Sequence, residues 1–190
     1  SSELILDTDK IEVTTIPLRH RIYTNGFLFR EKPAPRKLNM ESISKHQEID
    51  ICDYQNLKDG KDFIESDGLR VKNEELTFDP APPLSFAYCS DTTYYENVVR
   101  NIENVDLLYH ESTFLEEHED LAETTRHSTA AQAAKIASAA KVGKLILGHF
   151  SSRYKDPELF LKEAQQHFET TELCEAGKVF EISNQGHRNS

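Results

Sequence analysis

Six residues of this chain are of the types that bind metals and move protons, and each stands where an apolar or small-residue run begins or ends. "FAYCSD" closes on Asp91, "DLLYHE" on His110 and Glu111, and "LILGHF" carries His149 near its end. His20 closes "TTIPLRH", and His127 lies just before the Ala-rich stretch that starts at Thr129. Imidazole and carboxylate together suit Zn²⁺ or Mn²⁺. A carboxylate shared between two such ions fits the activation of water against a phosphodiester. Glu111 near His127 would favour the imidazolium and so a general acid. Ser152 and Arg153, directly behind His149, are donors suited to phosphate. Taken singly, each has an ordinary alternative. A His at a strand end is a hydrogen-bonded structural residue, Asp91 before Thr92 a turn residue, and Glu111 a solvated carboxylate. Their joint placement argues for one site, because ligands bind at the carboxyl ends of strands in α/β sheets. His46, His118, His167 and His187 sit in polar or helical contexts and read as surface residues.

The elements that must hold these residues follow from patterning. "IEVTTIPL" (11–18) is β-branched and alternating, a strand ending near Pro17, and "GFLFR" is the next. "LSFAYCSD", "DLLYHE" and "KLILGHF" read as strands, and "YYENVVRNI" has helical spacing. "TAAQAAKIASAAKVG" is a helix with Ser128 or Thr129 as its cap and Gly143 as its stop. "DPELFLKEAQQHF" is a helix opened by Asp156 and Pro157, and "GKVFEI" is the expected last strand. Strands alternating with helices define an α/β layered domain. Between them, residues 31–76 hold two Asp-Gly turn signals and no long periodic stretch. That segment reads as a loop-rich insertion with one short helix near Met40 to His46. The cluster Arg30, Lys32, Arg36 and Lys37 at its start, "REKPAPRK", is either a solvated loop or a phosphate contact. No apolar element is evident before residue 11, so the first half of the domain is expected to lie outside these residues.

At 190 residues the chain needs only one domain. Its net charge of −11 argues against a generally basic nucleic-acid binder, though not against a local basic patch. Cys52, Cys89 and Cys174 form neither a CxxC pair nor an even framework, which points to a reducing cytoplasm. No apolar run approaches the ~20 residues of a membrane helix.

The order and spacing of "PLRHRIYTNGFLFRE", "YCSDT", "HESTF", "HSTAAQAAKIA" and "KLILGHFSSRY" closely resemble the ribonuclease Z family, tRNA 3′-processing endonucleases of the metallo-β-lactamase superfamily. The resemblance covers residues 11 to 182, and its most specific feature is "HSTAAQAA" followed by "GHFSSRY". It implies an α/β fold, the metallo-β-lactamase-type αββα sandwich, represented mainly by its C-terminal half. It implies zinc, two ions in the complete family site, with manganese or magnesium as alternatives. His20, Asp91 and His149 match the family's metal ligands, Asp91 being the carboxylate that bridges the ions. Glu111 and His127 match a proton-donating couple. Ser152, Arg153 and Tyr154 match a stretch near the scissile phosphate. The insertion, with Arg36 and Lys37, sits where the family carries an arm that grips tRNA, which leads one to expect a basic arm on an acidic body. The implied partners are a tRNA precursor and a second copy in a homodimer, with no membrane.

Two departures temper this. The family's HxHxDH motif, which supplies most ligands to both metals, is absent, and no HxH occurs in the 190 residues. The family places that motif upstream of the His20 segment. The chain is therefore expected to be part of a longer protein, inactive alone and weak in zinc binding. The arm also lacks the Gly-Pro pair of many relatives and carries "EIDICDYQNLKDGK" instead. Two other readings stand beside the tRNA endonuclease: a hydrolase of small phosphodiesters or esters with the same fold, and a non-catalytic binding partner.

Overall fold

The computed structural model describes residues 1–183, and it divides into two compact units, residues 1–31 with 84–183 and the segment Lys32–Pro83. His187 lies outside the described residues.

The first unit is built on one seven-stranded sheet whose spatial order follows the chain. Its strands are β1 (Leu4–Asp7), β2 (Ile11–Pro17), β3 (Asn25–Glu31), β4 (Ser85–Cys89), β5 (Leu107–Glu111), β6 (Lys144–Gly148) and β7 (Thr171–Leu173). From β1 to β4 the pairing is antiparallel, and from β4 to β7 it is parallel. Parallel strands need crossover connections. Helix α2 (Ala130–Ala139) lies on the crossover from β5 to β6 and α3 (Glu158–Gln165) on that from β6 to β7, while a shorter helix, α1 (Glu119–Thr125), precedes α2.

Helix α2 forms where expected. Thr129 rather than Ser128 caps it: its hydroxyl accepts from Gln132 N at 3.1 Å, and the Gln132 side chain accepts from Thr129 N at 3.0 Å. This reciprocal box satisfies two otherwise unpaired donors. Ala130, Ala131, Ala133, Ala134 and Ala137 are fully buried, and four of them join Leu108, Leu145, Leu147, Phe160 and Ala164 in a single core. Small side chains let the helix lie close to the sheet. The helix stops before Gly143, because Lys141 already adopts a left-handed φ of 52°.

Three local expectations change. "YYENVVRNI" forms a 3-10 turn over Glu96–Asn101, not an α-helix. Two adjacent β-branched valines disfavour a longer helix, and Val98 and Ile102 serve as core plugs instead. "GKVFEI" forms no strand: Gly177 turns at φ 83°, and Thr171–Leu173 takes the place beside β6. An element does precede residue 11. Leu4–Asp7 pairs with β2 through a bulge, with Leu4, Ile5 and Leu6 largely exposed.

The opposite sheet face carries two aromatic pairs, Phe29 with Phe86 (centroids 5.8 Å) and Tyr88 with Tyr109 (4.6 Å). Phe29 and Tyr88 remain 37% exposed. No described helix is long and apolar enough to cross a membrane.

The second unit runs over Lys32–Pro83 rather than 31–76, and it is folded rather than loop-like. Ile43, Ile49, Leu57, Val71 and Leu76 form its own small core. Asn73 is the hub: its amide donates to Leu57 O and Lys61 O, each at 2.8 Å, and its side-chain oxygen accepts from Thr77 Oγ1 at 2.8 Å. Both Asp-Gly signals are turns, with Gly60 at φ 84° and Gly68 at φ 90°. The expected basic arm does not hold. The segment carries eight Lys and Arg against eleven Asp and Glu, a net −3. Arg36 is engaged within it, its guanidinium bonded to Thr77 Oγ1 and Asp79, while Lys37 is exposed.

Candidate metal and proton-transfer site

The parallel register brings the strand ends level: Cys89 pairs with His110, and Gly148 with Glu111. Residues just past these ends therefore meet at one edge. Asp91 and His149 both take left-handed backbone, at φ 54° and 63°, as does nearby Arg126 at 67°. Asp and His tolerate this region better than most side chains. Non-glycine residues held there store strain that concentrates at functional sites.

Glu111 is the centre of the arrangement. Its side chain is wholly buried and accepts five hydrogen bonds. Thr92 N (2.9 Å) and His127 Nδ1 (2.7 Å) donate to Oε1, while Thr113 N (3.2 Å), Thr113 Oγ1 (2.8 Å) and Ser128 N (3.1 Å) donate to Oε2. Burial alone would raise this carboxyl's pKa. The hydrogen bond and charge of His127, with the Ser128 and Thr113 donors, outweigh it and hold the group below the usual carboxylate range. The partner responds in kind: the hydrogen bond to Glu111 raises the His127 pKa against partial burial, with the Glu111 and Asp91 charges adding to it. The pair is thus an ionised carboxylate beside a readily protonated imidazole.

His20 enters from the loop between β2 and β3. That loop is tied to the segment after β4 by Arg19 N donating to Thr92 Oγ1 (3.2 Å) and Thr93 N donating to Arg19 O (2.9 Å). Its Nδ1 donates to Arg126 O at 2.8 Å. The rings of His20 and His127 lie 5.0 Å apart, and those of His127 and His149 5.2 Å apart. His149 Nε2 is 3.3 Å from Asp91 Oδ1, and both side chains are about two-fifths exposed.

Two sets of three donors converge within 4.8 Å: His20, Asp91 and His127, and Glu111, His127 and His149. Imidazole nitrogens and carboxylate oxygens are the donor set of zinc, and an imidazole nitrogen 3.3 Å from a carboxylate oxygen is a place where a cation or a proton would be held. The residues present fit such an ion.

The other expected residues are placed differently. Ser152 and Arg153 are exposed just past His149. Tyr154 turns inward: its hydroxyl accepts from Leu115 N at 3.2 Å and lies 2.8 Å from His118 Nδ1, and its ring packs on Phe160. His110 points to the helix-covered face, as strand alternation requires of Glu111's neighbour. It is buried there, its pKa lowered by that burial, with Nδ1 donating to Glu111 O. His118 and His46 are half-buried, each hydrogen-bonded to a side chain, and His167 is exposed. Thr92, Thr113 and Ser128 were not singled out from sequence as donors to Glu111. Their signal was proximity, each within two residues of Asp91, Glu111 or His127 in "SDT", "HEST" and "HST".

The fold matches solved metallo-β-lactamase-fold proteins. The metallo-β-lactamase fold protein YhfI from Bacillus subtilis superposes with a TM-score of 0.59 at 18% identity, covering 93% of this chain and 52% of that one. The short form of human tRNase Z superposes at 0.57 and 21% identity, covering 96% of this chain and 47% of that one. At these identities the likeness defines the fold. By sequence the chain is a homologue of ribonuclease Z. It is 46% identical to the Ribonuclease Z of Cytophaga hutchinsonii over 96% of this chain and 58% of the relative. It is 44% identical to that of Phocaeicola vulgatus over 91% and 56%. The chain thus spans little more than half the length of these relatives. No protein-family model matches it.

Proposed function

We propose that this chain carries the proton-donating couple and part of the metal site of a zinc-dependent endoribonuclease that processes tRNA 3′ ends. The observation that carries the proposal is the wholly buried Glu111 bound to His127 at 2.7 Å beside two converging ligand sets. Glu111 holds the His127 ring through Nδ1, so a protonated His127 offers its Nε2 proton to a leaving oxygen. His20, Asp91 and His149 are assigned as ligands, and the bound zinc, or manganese or magnesium, would supply Lewis acidity and activate water. Ser152 and Arg153, exposed just past His149, are assigned to phosphate. Tyr154 is assigned a supporting role through Leu115 and His118 instead.

The two ligand sets share His127, which the proton-transfer role also needs, so the described residues supply fewer than the roughly four ligands per ion that two ions require. We therefore propose that the chain alone binds zinc weakly and is inactive. A cytoplasmic setting agrees with its three free cysteines, and a homodimer with its 37%-exposed Phe29 and Tyr88. Fusion behind the portion of the Cytophaga hutchinsonii relative that this chain does not span is the direct test. The fusion should remove a 3′ trailer from pre-tRNA, His127→Ala should slow it at least ~10²-fold, and the unfused chain should do nothing. Cleavage by the unfused chain, or none by a folded fusion, counts against the proposal.

The net −3 of Lys32–Pro83 favours a second reading, in which the substrate is a small phosphodiester or ester. Deleting that segment from the fusion separates the two. Selective loss of pre-tRNA cleavage supports the first reading, and equal loss on a small chromogenic phosphodiester supports the second.

A further inference from the structure

We propose that Thr113 is a positioning residue that fixes the His149 imidazole with its proton on Nδ1, and so binds the metal half of the site to the proton-transfer half. The role of His149 as a ligand rests on the function proposed above; its tautomer does not. Thr113 is 8% exposed, and its one hydroxyl lies 2.8 Å from Glu111 Oε2 and 2.9 Å from His149 Nδ1. An ionised carboxylate only accepts. The single hydroxyl proton therefore goes to Glu111, and the Oγ1 lone pair is left for the ring. His149 Nδ1 must then be the donor, which leaves Nε2, the atom facing Asp91, as a bare lone pair whenever the ring is neutral.

The backbone on either side is already clamped, by Ser112 N donating to Gly148 O at 2.9 Å and Ser151 N donating to Thr113 O at 3.1 Å. Thr113 Oγ1 is what holds the ring within that frame. The same logic runs through the other two imidazoles, with His20 Nδ1 donating to Arg126 O and His127 Nδ1 donating to Glu111. All three rings thus turn the same atom, Nε2, away from their anchors. Glu111 anchors two of them, one directly and one through Thr113. Partners of this kind fix both tautomer and orientation in metal-binding histidines.

The test uses the ¹⁵N-labelled chain treated with chelator, at a pH about two units above the ordinary His pKa of ~6.5. Long-range ¹H–¹⁵N correlation reads the tautomer of each ring, with His149 assigned through His149→Asn. The wild type should show a single Nδ1–H signature for His149. Thr113→Val, which keeps the shape and loses the hydroxyl, should shift it toward the Nε2–H form favoured by free imidazole, and Thr113→Ser should restore it. Zinc titration of the fusion described above should show Thr113→Val weakened about tenfold and Thr113→Ser within about threefold of wild type. An Nε2–H or averaged His149 in the wild type overturns the proposal, and this holds even where Thr113→Val does not fold. A tautomer unchanged in a folded Thr113→Val also overturns it. A Thr113-dependent tautomer in a chain whose fusion takes up no zinc supports the positioning role and sinks the metal assignment instead.

Discussion

Replacing Glu111 by Gln tests whether the site needs an acceptor-only group at its centre. The carboxylate accepts from five donors, two on Oε1 and three on Oε2, with no solvent contact. Gln has one accepting oxygen and an NH₂ that only donates. Placed at the Oε2 position, the NH₂ would face Thr113 N and Ser128 N, two backbone donors that cannot reverse. Placed at the Oε1 position it faces only one, Thr92 N, because neutral His127 can accept once its proton moves to Nε2. The second orientation is therefore expected. An orphaned buried N–H costs about 1–3 kcal/mol, and exchanging a charged for a neutral acceptor weakens the remaining bonds. The expected total is about 2–4 kcal/mol. Because the chain has two units, a single melting temperature would mix their unfolding. Hydrogen exchange at amides of α2 and of the β5–β6 ladder reads the relevant unit directly. The same sample should show His127 switching from the Nδ1–H to the Nε2–H tautomer. Exchange protection unchanged to within ~0.5 kcal/mol, together with an unchanged His127, would refute the five-donor account.

The Glu111–His127 pair also sets a pH window. The lowered carboxyl contributes stability above its ordinary value of ~4.3 and loses it as pH falls through the folded value, whereas the raised His127 contributes fully below ~6.5 and loses it as pH rises through its folded value. In chelator-treated chain, the stability difference between wild type and His127→Gln should peak between these limits; a flat difference in hydrogen exchange at the β5–β6 amides would contradict it. Gly148→Ala should disturb the site from behind, because a Cβ there would come within 2.7 Å of Tyr109 Cε2 and Cζ. The expected result is a loss of about 1–3 kcal/mol, partly recovered by adding Tyr109→Leu, as read by the same exchange experiment. In the second unit, Asn73→Ala removes two carbonyl-directed bonds and one from Thr77, at a cost of roughly 2–3 kcal/mol. Limited proteolysis should then cut within 32–83 while the β5–β6 amides stay protected; equal loss of protection in both units would mean they unfold together.

What could be read from sequence was whatever a single element states by itself. β2, β3 and the three central parallel strands announce themselves by apolar runs, and α2 by its cap and its alanines. β1 is three apolar residues on an exposed edge, and β7 is "TEL", whose alternation of two buried residues about one is too short to detect. The Lys32–Pro83 core gathers five residues spread from Ile43 to Leu76 around one asparagine, a pattern with no short-range signature. Tyr154 was read with its neighbours as facing a substrate, but the turn after His149 sends its ring onto Phe160. Motif adjacency does not fix side-chain direction; local backbone does.

That these candidate residues would converge was legible for a reason that lies in the sheet. In a parallel ladder, successive strands end at the same edge, so polar residues that close three separate apolar runs must become neighbours. Strand alternation then sorts them: His110 and Glu111 are adjacent in sequence, yet the carboxylate goes to the site and the imidazole to the helix-covered core. Alternation cannot place Asp91 or His149, which lie beyond the ladder. Their left-handed backbone does that, turning each side chain back across the strand end at residues able to bear the strain. The hydroxyls of "HEST" and "HST" add a finer level of order. Thr113 and Ser128 lie immediately beyond the strand end and immediately before the helix, where their backbone N–H groups have no ladder or helical partner. Both donate to Glu111. The carboxylate is therefore fixed by the same unpaired amides that the change from strand to helix creates, and the geometry around Glu111 and the chain topology have one physical origin here.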